Sequence, residues 1–244
     1  MLSLPLRRMA GLLLIVVPIV FTVCFTLLQM QFEYPDILRQ PAGDVLVKFQ
    51  AGGGGLVAVW YILTLSAVLF IPLSVLVHAV LASRETSVAL WVATVFGVVA
   101  GVVQALGFVR WPFLVPYLAQ TYTAPATTPA QLETVGLLFE AFNRYAGMAV
   151  GEQLGYLSTS VWTLLVAWLM VRSPWFGRWV GLSGMALAVG IAAGLLEPFG
   201  WELGGVINAI SYLAWAVWLV VVGIVLVVRR IPVAAGTSAV PAGR

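Results

Sequence analysis

Five residues of this sequence could together hold a small charged molecule: Arg110, Arg144, Glu152, Tyr156 and Trp201. An arginine in a partly dry site binds carboxylate and phosphate groups well, because its planar guanidinium donates several hydrogen bonds at once. A carboxylate at membrane depth is costly, so Glu152 must face water or a partner, and Arg110 and Arg144 are the cations available to it. These residue types predict a binding site for an anionic or zwitterionic amphiphile.

Two of these residues also have purely structural interpretations. Arg110 ends an apolar run, where its long side chain could extend to the membrane interface beside Trp111 and Tyr117, residue types typical of an interfacial belt. Arg144 follows Glu140 by four residues, which is the favourable order for an ion pair on a helix. Such a pair could equally be solvated on the polar face of an amphipathic helix.

Catalytic chemistry has weaker support. Glu140 and Glu152 could act as acid and base if their surroundings shift their pKa values apart. However, the sequence has no nucleophile elbow, paired-histidine zinc motif or dinucleotide fingerprint. One Cys and one His exclude a disulfide framework and a multi-histidine metal site. We therefore expect no cofactor, no metal and no catalytic residue, and the sequence leans against an enzyme.

The elements that carry these residues are membrane-spanning helices. Of the 244 residues, 62% are hydrophobic and 9% are charged, whereas soluble domains are about half apolar and about a quarter charged. Six apolar runs exceed the roughly 18 residues that indicate a spanning helix, whose backbone groups must bond internally in lipid. We expect an all-α, polytopic bundle of six transmembrane helices at about 11–30, 56–81, 88–109, 153–171, 175–196 and 203–228.

Two further segments complete the predicted organisation. Residues 131–152 have helical periodicity but mixed polarity, which predicts an amphipathic helix on the outer side that leads into the fourth span, with a polar face formed by Glu133, Glu140, Asn143 and Arg144. Thr128 and Pro129 suit the start of that helix. We expect residues 1–231 to form a single transmembrane domain, and the Pro-, Gly- and Ala-rich residues 232–244 to form a mobile cytoplasmic tail.

The distribution of charge predicts the orientation of the bundle. With the N-terminus inside, the inner side carries eight arginines and one glutamate, a net charge of +7. The outer side carries four cations and eight carboxylates, a net charge of −4. Because positively charged loops stay in the cytoplasm, we expect both termini there. The outer segments are longer and mix aromatic with charged residues, which favours the outward half for a functional site.

Three glycines recur at four-residue spacing near the start of the fourth span: Gly147, Gly151 and Gly155. Glycines on one helix face allow another backbone to approach closely, so the spacing favours a packing role. A hinge or a backbone-lined site is the alternative.

Three blocks of mixed polarity carry a resemblance to a known family: YPDILRQPAGDVLVKFQAGGGGLVAVWY, GFVRWPFLVPYLAQTY and FNRYAGMAVGEQLGY. They resemble the bacterial membrane proteins grouped as domain of unknown function 4386, and the similarity runs from the first span through the sixth. The resemblance implies an integral membrane fold. It carries no activity, cofactor or catalytic residue with it.

These observations favour a multi-pass protein of the bacterial cytoplasmic membrane that binds or transports a small anionic or zwitterionic amphiphile through an outward-facing polar pocket. One alternative is an accessory or assembly subunit, because glycine-spaced helix faces and ten tryptophans suit a membrane protein partner. The second is an intramembrane enzyme that uses carboxylates. Membrane lipids are expected partners, whereas nucleic acid is not, because the basic charge reflects orientation.

Overall fold

The chain folds into helices joined by short connections. The computed structural model describes residues 4–82, 87–173 and 175–228, and no strand occurs among them. The predicted tail at 232–244 and the inner-side residues Arg84 and Arg229 lie outside these ranges. The α-helices are α1 (Leu4–Phe32), α2 (Ala42–Ala82), α3 (Val88–Phe108), α4 (Arg110–Phe113), α5 (Val115–Thr123), α6 (Pro129–Phe142), α7 (Gly155–Arg172), α8 (Arg178–Ala192) and α9 (Glu202–Val228). Short 3₁₀ helices cover Asp36–Arg39 and Ala193–Phe199, and a π-helix, Asn143–Leu154, joins α6 to α7.

The predicted all-α bundle with six spanning helices is confirmed. Among the described residues, six helical stretches are long and apolar enough to cross a membrane: Leu4–Phe32, Ala42–Ala82, Val88–Thr123, Pro129–Arg172, Arg178–Phe199 and Glu202–Val228. The protein is therefore a multi-pass membrane protein. The orientation of its termini and the domain limits of 1–231 stay predictions.

The spanning helices pack as a closed ring. Going round it, α1 contacts α2, α2 contacts α3, α3 contacts α7, α7 contacts α8, α8 contacts α9, and α9 returns to α1. The chain between α3 and α7 contains α4, α5 and α6, so these helices lie at the end of the ring where α3 stops and α7 starts. We call this the capped end.

Helix α2 is kinked within a run of four glycines. Gly53 has φ 55° and ψ −155°, a combination open essentially to glycine alone. Before the kink, residues 42–52 form a separate helical segment that packs against α5 and α6, since an added Cβ on Gly43 would meet Tyr122 and one on Gly136 would meet Ala42. The kink therefore allows one helix both to cross the membrane and to cover the capped end.

Glycines also set the closest approaches between helices. A Cβ on Gly11 would lie 2.8 Å from the carbonyl oxygen of Gly223, so α1 and α9 cross backbone to backbone. A Cβ on Gly107 would lie 2.7 Å from the Cα of Gly151, which brings α3 equally close to the π-helix. Such crossings strengthen helix association in lipid, where no hydrophobic force drives it. Gly151 thus has the packing role that its spacing predicted.

We predict that Gly53→Ala and Gly54→Ala change stability in opposite directions. Alanine at position 53 is strained by the positive φ, and we expect a loss of about 1–3 kcal/mol. An alanine Cβ at position 54 meets no atom within 4 Å, so better helix propensity should add up to about 1 kcal/mol. The melting temperature in detergent measures both, and equal shifts would contradict the kink.

We also predict that Gly151→Leu lowers the melting temperature in detergent. The Cβ would lie 3.0 Å from the Cα of Gly107, and overpacking of this kind costs about 1–3 kcal/mol. Gly55→Leu is the matched control, because a Cβ there meets no atom within 4 Å. An unchanged melting temperature for Gly151→Leu would show that this glycine faces open space.

Candidate functional site

Arg110 is a buried cation at the capped end of the ring. The residue is 7% exposed. Its guanidinium donates from Nη1 to the carbonyl oxygen of Gly107 and from Nη2 to Oδ1 of Asn143, 3.0 Å away. The guanidinium carbon lies 5.2 Å from the ring centre of Trp111. The remaining donor, Nε, has no hydrogen-bond partner, and an unsatisfied buried donor costs about 1–3 kcal/mol, more if charged.

The local path of the chain explains this burial. The helix does not end at Arg110 but continues into α4 and α5 after single-residue breaks at Val109 and Leu114. Gly147 of the π-helix makes room for the guanidinium, because an added Cβ would overlap Nη2. The interpretation of Arg110 as a side chain reaching the interface is therefore wrong, and Trp111, at 0% exposure, does not belong to an interfacial belt.

Beside Arg110 lies a group of buried rings that we call the aromatic wall: Phe32, Phe49, Trp60 and Trp111. The indoles of Trp60 and Trp111 are stacked, with centroids 4.5 Å apart and planes 8° apart, and both meet Phe32 edge to face. Neither indole N–H has a hydrogen-bond partner. The indole N–H groups of Trp215 and Trp218 in α9, in contrast, each donate to an oxygen atom 2.8 Å away. Three buried donors without a partner, Nε of Arg110 and the indole N–H groups of Trp60 and Trp111, thus lie next to one another.

Glu152 supplies the opposite charge from the π-helix. Its carboxylate interacts electrostatically with the guanidinium of Arg110, yet the two groups form no ion pair. The residue is half-buried, and its carboxylate accepts no hydrogen bond from the described residues. The site therefore contains a cation with a free N–H and a carboxylate with free lone pairs, and these two groups do not form an ion pair with each other.

Three tyrosines complete what we call the polar cluster: Arg110, Asn143, Glu152, Tyr34, Tyr156 and Tyr212. Each tyrosine interacts electrostatically with Glu152, and the rings of Tyr156 and Tyr212 are 5.8 Å apart. Tyr34 lies between the first two spanning helices, where burial and the charge of Glu152 raise the pKa of its phenol far above the ordinary value. Its hydroxyl therefore keeps its proton and can donate a hydrogen bond.

Hydrogen bonds between helices hold the surroundings of the polar cluster. Gln104 of α3 donates to the hydroxyl of Thr159 in α7 at 3.0 Å. Gln153 of the π-helix donates to the carbonyl oxygen of Gly194 at 3.2 Å, which fixes the 3₁₀ segment after α8 beside the cluster. These groups have the partners that buried polar atoms require.

The structure brings three of the five predicted site residues together and separates two. Arg110, Glu152 and Tyr156 belong to the polar cluster. Arg144 is exposed on the π-helix, and Trp201 is 41% exposed before α9, so neither joins it.

Glu140, the second carboxylate considered for acid–base chemistry, is exposed on α6 and does not join Glu152. Within residues 4–82, 87–173 and 175–228, no group of three or more His, Cys, Asp or Glu side chains is placed to hold a metal ion. The arrangement can bind groups of either charge, because its guanidinium attracts an anion and its carboxylate attracts a cation.

Six residues of the site were not selected from the sequence: Tyr34, Asn143 and Tyr212 of the polar cluster, and Phe32, Phe49 and Trp60 of the aromatic wall. Asn143 was assigned to the polar outer face of an amphipathic helix because an α-helical period was assumed. Asn208 and Tyr212, one helical turn apart within an apolar span, were a signal that could have identified the side of α9 that faces the site. Trp60 carries no comparable signal, since only the fold brings it against Trp111.

The comparison with known families covers this whole site. The family model described as Domain of unknown function (DUF4386) matches residues 9–223, a range that includes every member of the polar cluster. No curated protein and no solved structure matches the chain. The family predicted from the three blocks of mixed polarity is therefore confirmed, and the chain belongs to the family of domain of unknown function 4386.

Proposed function

We propose that this membrane protein binds or transports a small anionic or zwitterionic amphiphile in a polar pocket of its outward-facing half. The observation that carries the proposal is the incomplete pairing of Arg110, whose Nε has no partner and which forms no ion pair with Glu152. A buried charge that served the fold alone would have its donors satisfied. A carboxylate or phosphate group of a ligand supplies the missing acceptor and the opposite charge.

The neighbourhood of the polar cluster suits an amphiphile better than a fully polar molecule. Leu154 and Leu157 are close to Glu152 and Tyr156 in the chain, and they are 46% and 40% exposed. A ligand can therefore place its charged group against the cluster while an aliphatic chain remains in lipid, where it loses no hydrophobic stabilisation.

The proposal includes an orientation and a location. The excess of arginine at the end opposite the capped end favours that end for the cytoplasm, so both termini lie inside and the capped end faces outward. The resemblance to bacterial membrane proteins supports the bacterial cytoplasmic membrane. In that setting the site is open to molecules of the outer leaflet or of the outer aqueous phase.

We predict that native mass spectrometry of the wild-type protein, extracted gently from its own membrane, shows a reproducible extra mass of small-molecule size. Arg110→Gln should lower the fraction of protein that carries this mass by at least about tenfold, because truncating a buried charged partner costs about 2–5 kcal/mol. Gly147→Ala should lower that fraction too, since the Cβ of alanine would displace the guanidinium of Arg110.

Gly136→Ala is the matched control for Gly147→Ala, because its Cβ would make only an ordinary contact of 3.8 Å with Ala42. A bare monomer in the wild type would contradict the proposal. An extra mass equal to that of another protein, at a fixed ratio, would favour the accessory-subunit alternative instead.

We also predict the sidedness of two introduced cysteines. The single native cysteine, Cys24, is buried, whereas Ala126 at the capped end and Gly177 at the other end are exposed. A membrane-impermeant maleimide added to whole cells should label Ala126→Cys, and it should label Gly177→Cys only after the membrane is permeabilised. The reverse pattern would place the polar cluster on the cytoplasmic side.

A further inference from the structure

The polar cluster presents two unpaired groups of opposite charge. Arg110 has a free N–H, and Glu152, which directly follows the Gly151 that packs against Gly107, has a carboxylate that accepts no hydrogen bond from the described residues. We infer that the ligand is a zwitterion, with its anionic group at Arg110 and its ammonium group at Glu152. This inference rests on the proposed function and narrows its ligand class.

A purely anionic ligand does not satisfy this arrangement. It would pair with Arg110 but would also lie within the field of Glu152, and like charges at close range destabilise each other. Glu197, which follows α8 on the 3₁₀ segment, interacts electrostatically with Glu152 and adds negative potential on the same side. A ligand that brings its own positive charge turns this repulsion into attraction.

The surroundings of Glu152 are suited to an ammonium group. Tyr156 and Tyr212 both interact electrostatically with the carboxylate, and their rings lie next to each other. Aromatic faces attract cations within about 6 Å of the ring centre. We therefore expect an ammonium group at Glu152 to contact these rings as well as the carboxylate.

The surroundings of Arg110 are suited to the anionic group. Besides the free Nε of Arg110, the indole N–H of Trp111 is buried without a partner. Oδ1 of Asn143 accepts a hydrogen bond from Nη2 of Arg110 at 3.0 Å, which helps to fix the orientation of the guanidinium. A phosphate or carboxylate group accepts several hydrogen bonds at once, so one such group can satisfy donors that are left unpaired here.

Two sources have this chemistry: the headgroup of a zwitterionic lipid and a soluble zwitterion. The purified wild-type protein in detergent micelles is mixed with equal amounts of dioleoyl phosphatidylethanolamine and dioleoyl phosphatidylglycerol, which share their acyl chains and differ in the headgroup. Native mass spectrometry then gives the ratio of the two adducts. Soluble phosphoethanolamine and glycerol phosphate, added as competitors, separate the two sources.

We expect the wild type to retain phosphatidylethanolamine over phosphatidylglycerol by about tenfold, a difference of about 1.4 kcal/mol. Glu152→Gln should bring that ratio close to one, whereas Glu140→Gln, which changes an exposed carboxylate, should leave it unchanged. Displacement of the lipid by phosphoethanolamine but not by glycerol phosphate would support the same zwitterion chemistry in a soluble ligand.

If the wild type retains phosphatidylethanolamine and phosphatidylglycerol in a ratio of one or below, the inference that the ligand is a zwitterion is overturned. This measurement does not require any variant to fold. The same ratio in the wild type and in Glu152→Gln also overturns that inference. If Arg110→Gln still lowers the retention of both lipids in that case, the proposed function stands without the zwitterion. Retention of neither lipid and of neither soluble compound by the wild type overturns both.

Discussion

The burial of one guanidinium is the constraint on which the capped end depends. Removing an arginine from water costs several kcal/mol even after relaxation, so Arg110 is tolerated only where the fold supplies acceptors and space. The carbonyl oxygen of Gly107 and the side chain of Asn143 supply the acceptors, and the missing Cβ of Gly147 supplies the space. The contact between Gly107 and Gly151 brings the two backbones close enough for all of these groups to meet.

The π-helix is what places both charges on one side of the fourth spanning stretch. Asn143 and Glu152 are nine residues apart, which is about two and a half turns of an α-helix, so an α-helix would point them in opposite directions. The wider π-helical turn, with its i→i+5 hydrogen bonds, takes about two turns over the same distance. Asn143 therefore reaches Arg110 while Glu152 remains within its electrostatic range.

The same change of helical period separates what the sequence could predict from what it could not. The six spans follow from apolar length alone, because lipid leaves the backbone no other partner. The α-helical period placed Asn143 and Arg144 together on an outer face, whereas only Arg144 is exposed there. The approach of Trp60 to Trp111 joins residues 51 positions apart in two different helices, and no local pattern encodes that contact.

The distribution of satisfied and unsatisfied groups is the strongest reason to regard the polar cluster as more than part of the scaffold. Away from the cluster, buried polar side chains such as Thr64 and Ser74 bond to backbone carbonyl oxygens, as the low dielectric requires. At Arg110 a free guanidinium N–H, two free indole N–H groups and a carboxylate without donors lie in one region. An ion pair between Arg110 and Glu152 would relieve much of that cost, yet the two groups form none. A fold under selection for stability alone gains nothing from leaving these groups unpaired, whereas a site that receives a charged molecule needs them free.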